Sequence, residues 1–279
     1  MISSRNYAPS AHLLPFIRRH YIVEAKLPPD FCHEDYLMAD NGFVRVILAG
    51  EWDWWHQDQW VAGSGALLFG PNAQMLRIRV RGPIFVAGFA IRPSAWTALF
   101  TQAAASHVDM ISPLADAWTP DLVAKLIKSL DAAKQDKDRV AALEAAVETQ
   151  LASLKGKGVD PLIATFESIA RRDSTTRVED AARILGLSPR QLERRCLTSF
   201  ALSPKAVLQR CRFLDMAAAM RGIGNADQAE LASLRYFDQS HLNREVRRYA
   251  GMTPGAFQKA TMPLFTESLK LREEGKTLA

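Results

Sequence analysis

The stretch from Ala182 to Val207 aligns without a gap onto Ala232 to Phe257 at an offset of 50 residues. Leu192 falls on Leu242, Arg194 on Arg244, Leu202 on Met252, Ser203 on Thr253, Pro204 on Pro254 and Ala206 on Ala256. A chain that repeats in this way builds one supersecondary unit twice and buries the apolar faces of the copies against their neighbours. The local signals say which unit. Thr176 with Glu179, and Ser188 with Gln191, have capping-box spacing, in which a hydroxyl and the side chain three residues on satisfy each other's free backbone N–H groups. Ser203-Pro204 and Thr253-Pro254 set a cap residue ahead of a proline at the first helical position, where its missing N–H costs nothing. Asp238, another good cap, stands where the first copy has Ser188. Leu185-Gly186-Leu187 is a tight glycine turn between a short helix and the next, so the unit reads as a helix-turn-helix.

With Leu192 at the origin, about 100° per residue places Cys196 and Ser199 within about 40° of it and Arg190, Glu193, Arg194 and Leu197 on the opposite arc. In the second copy Leu242, Val246 and Tyr249 form the inner stripe, and Ser240, Asn243, Arg244 and Arg247 the outer arc. These side chains suit base edges in a major groove: Arg for guanine, Asn for adenine, Ser for either. A polar arc on one amphipathic helix is ordinarily a solvated face; two matched arcs, on units joined by a helix from Pro204 to about Arg221, favour recognition. The charge agrees. Ser174 to Lys259 holds 14 Lys and Arg against 8 Asp and Glu, an excess of 6 in a chain whose net charge is +5, and twelve of those cations are Arg.

The stretches Leu187-Ser188-Pro189-Arg190-Gln191-Leu192-Glu193-Arg194, Tyr236-Phe237-Asp238-Gln239-Ser240-His241-Leu242 and Gly251-Met252-Thr253-Pro254 resemble the DNA-binding domain of the AraC/XylS family of bacterial transcription regulators over Ala182 to Lys259. The resemblance implies two helix-turn-helix subdomains joined by a long helix, recognition helices in adjacent major grooves of double-stranded DNA, and a preceding effector or dimerisation domain. By position, Arg190, Glu193, Arg194, Ser240, Asn243 and Arg244 are the base-contact candidates, and Ser188, Gln191, Gln239, His241 and Arg247 the backbone-contact candidates. Ala201 and Tyr236 depart from the pattern where glycine is usual; positive φ is unfavourable for both, so the local turns are expected to differ by a few tens of degrees. Leu197 either meets a thymine methyl or packs on a neighbouring helix.

The amino-terminal part reads differently. Val44–Leu48, Glu51–Trp54, Ala66–Phe69, Leu76–Val80 and Ile84–Phe89 are short alternating runs between Gly-containing turns, which predicts an antiparallel, barrel-like sheet. Pro93–Ala105, Asp121–Leu130 and Asp138–Leu154 read as helices. The stripe Val140, Leu143, Val147, Leu151, Leu154 serves either as a dimer seam or as a face packed on its own barrel. Lys155-Gly156-Lys157-Gly158 is the best linker, so the expected division is a sensor, effector or dimerisation domain over 1–155, a DNA-binding domain over 160–262 and a tail over 263–279. Residues 7 to 105 also resemble a sensor-like domain found ahead of such DNA-binding domains, through Pro9 with Leu14-Pro15-Phe16-Ile17, Ala39-Asp40-Asn41-Gly42 and Gly88-Phe89-Ala90-Ile91-Arg92-Pro93. Trp52, Trp54, Trp55 and Trp60 line a pocket for an apolar or aromatic effector, or else form sheet core and interface.

The 279 residues, 48% hydrophobic and 23% charged, exclude a disordered or fibrous chain. Nothing approaches 18 consecutive apolar residues, and Met1–Asn6 does not read as a secretory leader, so a cytoplasmic location without membrane contact is expected. Cys32, Cys196 and Cys211 are too widely spaced for a disulfide framework or zinc site. His33 with Glu34 and Asp35, and His56 with Asp58, lack the paired histidines of a barrel metal centre and are expected to be solvated loop residues. Gly63-Ser64-Gly65 is neither a nucleophile elbow nor a phosphate loop, so neither catalysis nor a cofactor is expected. The expectation is an α+β chain with an amino-terminal antiparallel barrel-like domain and an all-α double helix-turn-helix domain. It is expected to act as a sequence-specific transcription regulator, as an activator or as a repressor. A small-molecule effector, a homodimer partner and a contact with RNA polymerase are each compatible with it. The alternative is a small-molecule-binding or enzymatic protein whose helix-turn-helix pair binds DNA without sequence preference.

Overall fold

The computed structural model describes residues 2–154, 158–223 and 239–277. Among these, an antiparallel sheet takes up β1 (Ile2–Tyr7), β2 (Ile17–Ala25), β3 (Cys32–Leu37), β4 (Phe43–His56), β5 (Gln59–Gly63), β6 (Ala66–Phe69), β7 (Leu76–Ile91) and β8 (Ile111–Pro113). The strand order is β1-β2-β7-β4-β6-β8, with β3 also on β7 and β5 also on β4. Runs that look separate in sequence are therefore continuous: Val44–Leu48 and Glu51–Trp54 both lie in β4, and Leu76–Val80 and Ile84–Phe89 both lie in β7. Gly50 lies within the second of two adjacent register shifts in β4, between Ala49 and Glu51, at φ +85°, where a Cβ would sit 2.1 Å from the Pro83 carbonyl oxygen. This irregularity swaps the faces of the strand. Val44 and Val46 enter the core beneath the helices, whereas Trp52 and Trp54, which strict alternation would put beside them, enter the opposite core on the side of Arg45.

The helices of this part are α1 (Trp96–Leu99), α2 (Pro120–Ala132) and α3 (Asp136–Ser153). The Ala-rich segment expected to be helical forms only α1 flanked by 3-10 turns at Pro93–Ala95 and Ala104–His107, because Trp96 and Phe100 pack into the core and pin a short irregular path. Leu143 and Val147 are buried in the core formed with the sheet, so the α3 stripe packs on its own barrel.

The carboxy-terminal part is helical: α4 (Pro161–Arg172), α5 (Val178–Ile184), α6 (Pro189–Phe200), α7 (Pro204–Met220), α8 (Gln239–Ala250), α9 (Pro254–Lys259) and α10 (Pro263–Thr277). Most of the linker expected at Lys155–Gly158, and Tyr236 and Asp238 of the second unit, lie outside the described residues. Three expectations need correction. Thr176 does not cap α5: its hydroxyl and that of Thr175 are held by the Asp173 carboxylate, and the helix starts after Arg177 without a side-chain cap. Residues 263–277, expected as a tail, form α10, whose first backbone N–H groups donate to the buried Asp35 carboxylate at 2.7 and 3.4 Å. Asp35 is accordingly a β3 residue that fastens a helix, not a solvated loop residue.

Candidate nucleic-acid interface

The turn between α5 and α6 shows why this sequence presents α6 outward. Gly186 adopts φ +65°, its N–H donates to the Arg183 carbonyl, and the Leu187 N–H donates to the Ala182 carbonyl at 2.9 Å, which closes α5 in a Schellman motif. Ser188 then caps α6 in a full capping box: its Oγ accepts from the Gln191 N–H, and its own N–H donates to Gln191 Oε1. Two backbone-contact candidates, Ser188 and Gln191, thus also fix the start of the recognition helix. Leu192, Cys196, Ser199 and Phe200 are buried with Phe166 and Val207, while Arg190, Gln191, Glu193 and Arg194 are exposed. Leu197 on α6 is 45% exposed and Ile184 on α5 61%, so both present apolar surface to solvent.

In the second unit Val246, Tyr249 and Ala250 are buried against Phe213 and Phe257, and Leu242 is half-buried. Ser240, Asn243, Arg244 and Arg247 are exposed. The side chains of Gln239 and His241 lie outside the described residues. Helix α7 joins the units; at 1.5 Å per residue its 17 residues span about 25 Å.

Much of the arginine excess is structural. Arg195 turns back to pair with Asp160, Arg248 donates to Gln209, Arg212 to the Ser174 carbonyl and Arg221 to the carbonyls of Phe257 and Ala260. Arg210, 2% exposed, donates to the carbonyls of Asp40 and Asn72 and to Asn41 Oδ1, and so clamps α7 to the barrel. Arg190, Arg194, Arg244 and Arg247 remain for the outer arcs.

The four tryptophans do not share a pocket. Trp54 is sheet core, and Trp55 and Trp60 meet edge to face at 5.3 Å with the guanidinium groups of Arg77 and Arg79 over their rings. Trp52 alone of the four lines a cavity of about 70 Å³ between the sheet and α10. The residues that sequence reasoning missed are here: Arg45 in the cavity wall, and Leu264, Ser268 and Leu271 across its mouth. A cation inside the apolar run Val44-Arg45-Val46-Ile47 was the available signal.

Two outward helices at repeat-related positions, set against a barrel with its own cavity, have the arrangement of a helix-turn-helix protein with an appended barrel domain. Residues 181–260 match the family model of a helix-turn-helix domain, and residues 5–112 match that of a domain of unknown function, DUF6597. The carboxy-terminal part therefore carries a helix-turn-helix domain. Among solved structures the chain is similar to ToxT from Vibrio cholerae (10% identity over 92% of this chain and 97% of that one, TM-score 0.46). It is also similar to ToxT from strain SCE256 with an unsaturated fatty acid bound (12% identity, 86% and 94% coverage, TM-score 0.46) and to the AraC-like transcriptional activator CuxR (11% identity, 83% and 91% coverage, TM-score 0.32). No curated protein matches the chain. Among the described residues no helix is long and apolar enough to cross a membrane.

Proposed function

We propose that the chain regulates transcription by reading two successive major-groove segments, one with α6 and one with α8. The observation that carries this reading is the exposure of both outer arcs on helices whose inner stripes are buried, at positions related by the 50-residue repeat. Arg190, Glu193, Arg194, Ser240, Asn243 and Arg244 read base edges; Ser188, Gln191, Gln239, His241 and Arg247 hold the phosphate backbone. Exposed Leu197 is placed for contact with a thymine methyl. The barrel senses a small molecule and biases the arrangement of the reading helices through the clamp at Arg210.

Selection of the full chain from a random DNA library at about 150 mM salt tests this reading. A bipartite motif with elements about one helical turn apart is expected. A pool that binds well yet shows no enrichment overturns the assignment of base readers. On the selected site, Arg194→Ala should lose ~1–3 kcal/mol of discrimination at one base position, whereas Arg247→Ala should weaken all sequences alike and lower the salt slope by about one.

A further inference from the structure

Among the described residues, one edge of the barrel sheet lacks the devices that keep edges apart. A strand at the border of a sheet presents unpaired N–H and C=O groups, and proteins blunt such borders with charge, proline, a very short strand or a covering element. Four strands have a neighbour on one side only: β1, β3, β5 and β8. Helix α10 packs on both β1, which carries Arg5, and β3, which carries Glu34 and Asp35, and β8 is three residues ending in Pro113. By contrast β5, Gln59-Trp60-Val61-Ala62-Gly63, has no charge and no proline. Gln59 and Ala62 are exposed, and Trp60 and Val61 are half-buried. The hairpin with β4 fixes which backbone groups point out. His56 pairs with Gln59 across a two-residue turn whose central residues, Gln57 and Asp58, both have positive φ, the type I′ arrangement. His56 and Gln59 therefore close the hairpin as a hydrogen-bonded pair, and alternation aims the backbone groups of Gln59, Val61 and Gly63 at β4 and those of Trp60 and Ala62 outward.

We propose that β5 pairs antiparallel with β5 of a second copy of this chain, on a two-fold axis through Val61, so that two barrels share one continuous sheet. This register uses every outward group: Trp60 exchanges two hydrogen bonds with the partner's Ala62, and Ala62 two with the partner's Trp60. The side chains fit the same register. Val61, on the inner face with Trp54, meets its own copy at the closely spaced position and extends the apolar core across the axis. The Trp60 indole, held on the outer face by Trp55 at 5.3 Å and by the Arg79 guanidinium at 4.4 Å, lies over the methyl of the partner's Ala62. The charges at the ends are complementary as well. Asp58 comes opposite the partner's Ser64, at a turn on which α2 packs, since a Cβ on Gly65 would lie 3.7 Å from Ile127 Cδ1, and the exposed Lys128 follows Ile127. Each copy thus offers Asp58 to the partner's Lys128. The occupant is a second copy because the edge is its own complement, a large Trp60 and a small Ala62 placed symmetrically about Val61. A strand of five residues makes a small interface, so a dissociation constant of about 10–100 µM is expected. The Arg210 clamp and the Arg18–Glu167 pair hold the helices to the barrel, so the same axis relates the reading helices of the two copies. The consequence at DNA rests on the reading of α6 and α8 proposed above: two bipartite elements occupied by one dimer are inverted.

Sedimentation velocity of the full chain from about 1 to 300 µM tests the dimer, and the wild-type chain should pass from monomer to dimer across that range. Ala62→Pro removes an outward N–H from an edge strand and leaves the hydrogen bonds to β4 in place, so it should remain monomeric with an unchanged Tm, whereas Ala62→Ser, which keeps the N–H, should dimerise. A wild-type chain that is monomeric at about 300 µM, or a dimer that survives Ala62→Pro, overturns the proposal. Cross-linking reads the register without depending on the fold of that variant. In a Cys32→Ser background, Val61→Cys should oxidise to a covalent dimer, because residues opposed at a non-hydrogen-bonded position lie ~4.5 Å apart at Cα, while Gln59→Cys, displaced from its copy by ~13 Å along the strand, should not. Equal cross-linking at the two positions overturns the register and the proposal with it. Selection from random DNA separates this interface from base reading: Ala62→Pro should enrich a single bipartite motif, and the wild-type chain at dimer-forming concentration should add an inverted copy. Dimerisation with an unenriched pool supports the interface and removes the base-reading assignment, and a single motif without any dimer keeps that assignment and removes the interface.

Discussion

Ala201 takes φ +58° and ψ 14° at the end of α6, and Gly251 takes φ +67° at the equivalent place fifty residues on. The turn at Ala201, expected to depart from the usual glycine turn, therefore takes the same left-handed conformation as Gly251, with Phe200 on one side and Ser203, the cap of α7, on the other both held in place. The left-handed conformation costs an alanine about 1 kcal/mol, partly offset by packing of its methyl against the barrel core. Ala201→Gly should thus raise stability by ~0.5 kcal/mol in urea unfolding, and Gly251→Ala should lower it by ~1 kcal/mol; a stabilising Gly251→Ala would show that the second turn tolerates a side chain. The cysteines give a second residue-scale test. Cys32 is exposed, Cys196 and Cys211 are buried, and burial, with Asp160 and Glu193 adding to it, pushes the Cys196 thiol up. A thiol reagent should modify one cysteine quickly and the other two only on unfolding.

At the scale of elements, side-chain caps, some local in sequence and one distant, fix where helices begin. Asp160 Oδ1 accepts from the N–H groups of Leu162 and Ile163 to cap α4, its Oδ2 pairs with Arg195 of α6, and its own N–H donates to the Ser94 carbonyl of the barrel. Asp160→Ala should cost ~1–2 kcal/mol, while Asp160→Asn should keep most of the cap and lose only the partly exposed pair. A chemical-denaturation series on the two variants checks this, and equal losses would make the ion pair the larger contribution. The caps at Ser188, Ser203 and Thr253 were legible because donor and acceptor lie within one short segment. The cap of α10 was not, since its acceptor, Asp35, is 229 residues away and meets the helix only after β3 has paired with β7.

For the whole molecule the seam between barrel and helices matters most. Arg18 pairs with Glu167 of α4, Arg210 donates to three oxygens of the barrel, and the Met75 N–H donates to the Tyr249 carbonyl at 2.7 Å. Burial alone would push the Asp40 carboxyl up, but Arg18, Arg210 and Arg19 outweigh it and hold it down at about 2. A carboxylate whose pKa is lowered by folding stabilises the protein above its unfolded pKa and loses that contribution as pH falls through the folded value. The stability difference between wild type and Asp40→Asn should therefore stand at ~2 kcal/mol at pH 6 and shrink between about pH 4 and pH 2. A difference that does not change over that window would mean that Asp40 carries no charge-dependent load at the seam.

The sequence by itself determined the two helix-turn-helix units, their inner and outer faces, the long helix between them and the barrel-like character of the rest. Those features depend on periodicity, caps and turns, which act over a few residues and are written where they act. Tertiary structure alone decided that α10 closes a cavity, that the Nε and Nη1 atoms of Arg45 are buried in its wall without hydrogen-bond partners, that the irregularity at Gly50 brings Trp52 to its side, and that Arg210 clamps α7 to the barrel. Each of these joins groups far apart in the chain, and a contact of that kind has no local pattern: it exists only once the strands have taken their register and the helices have docked.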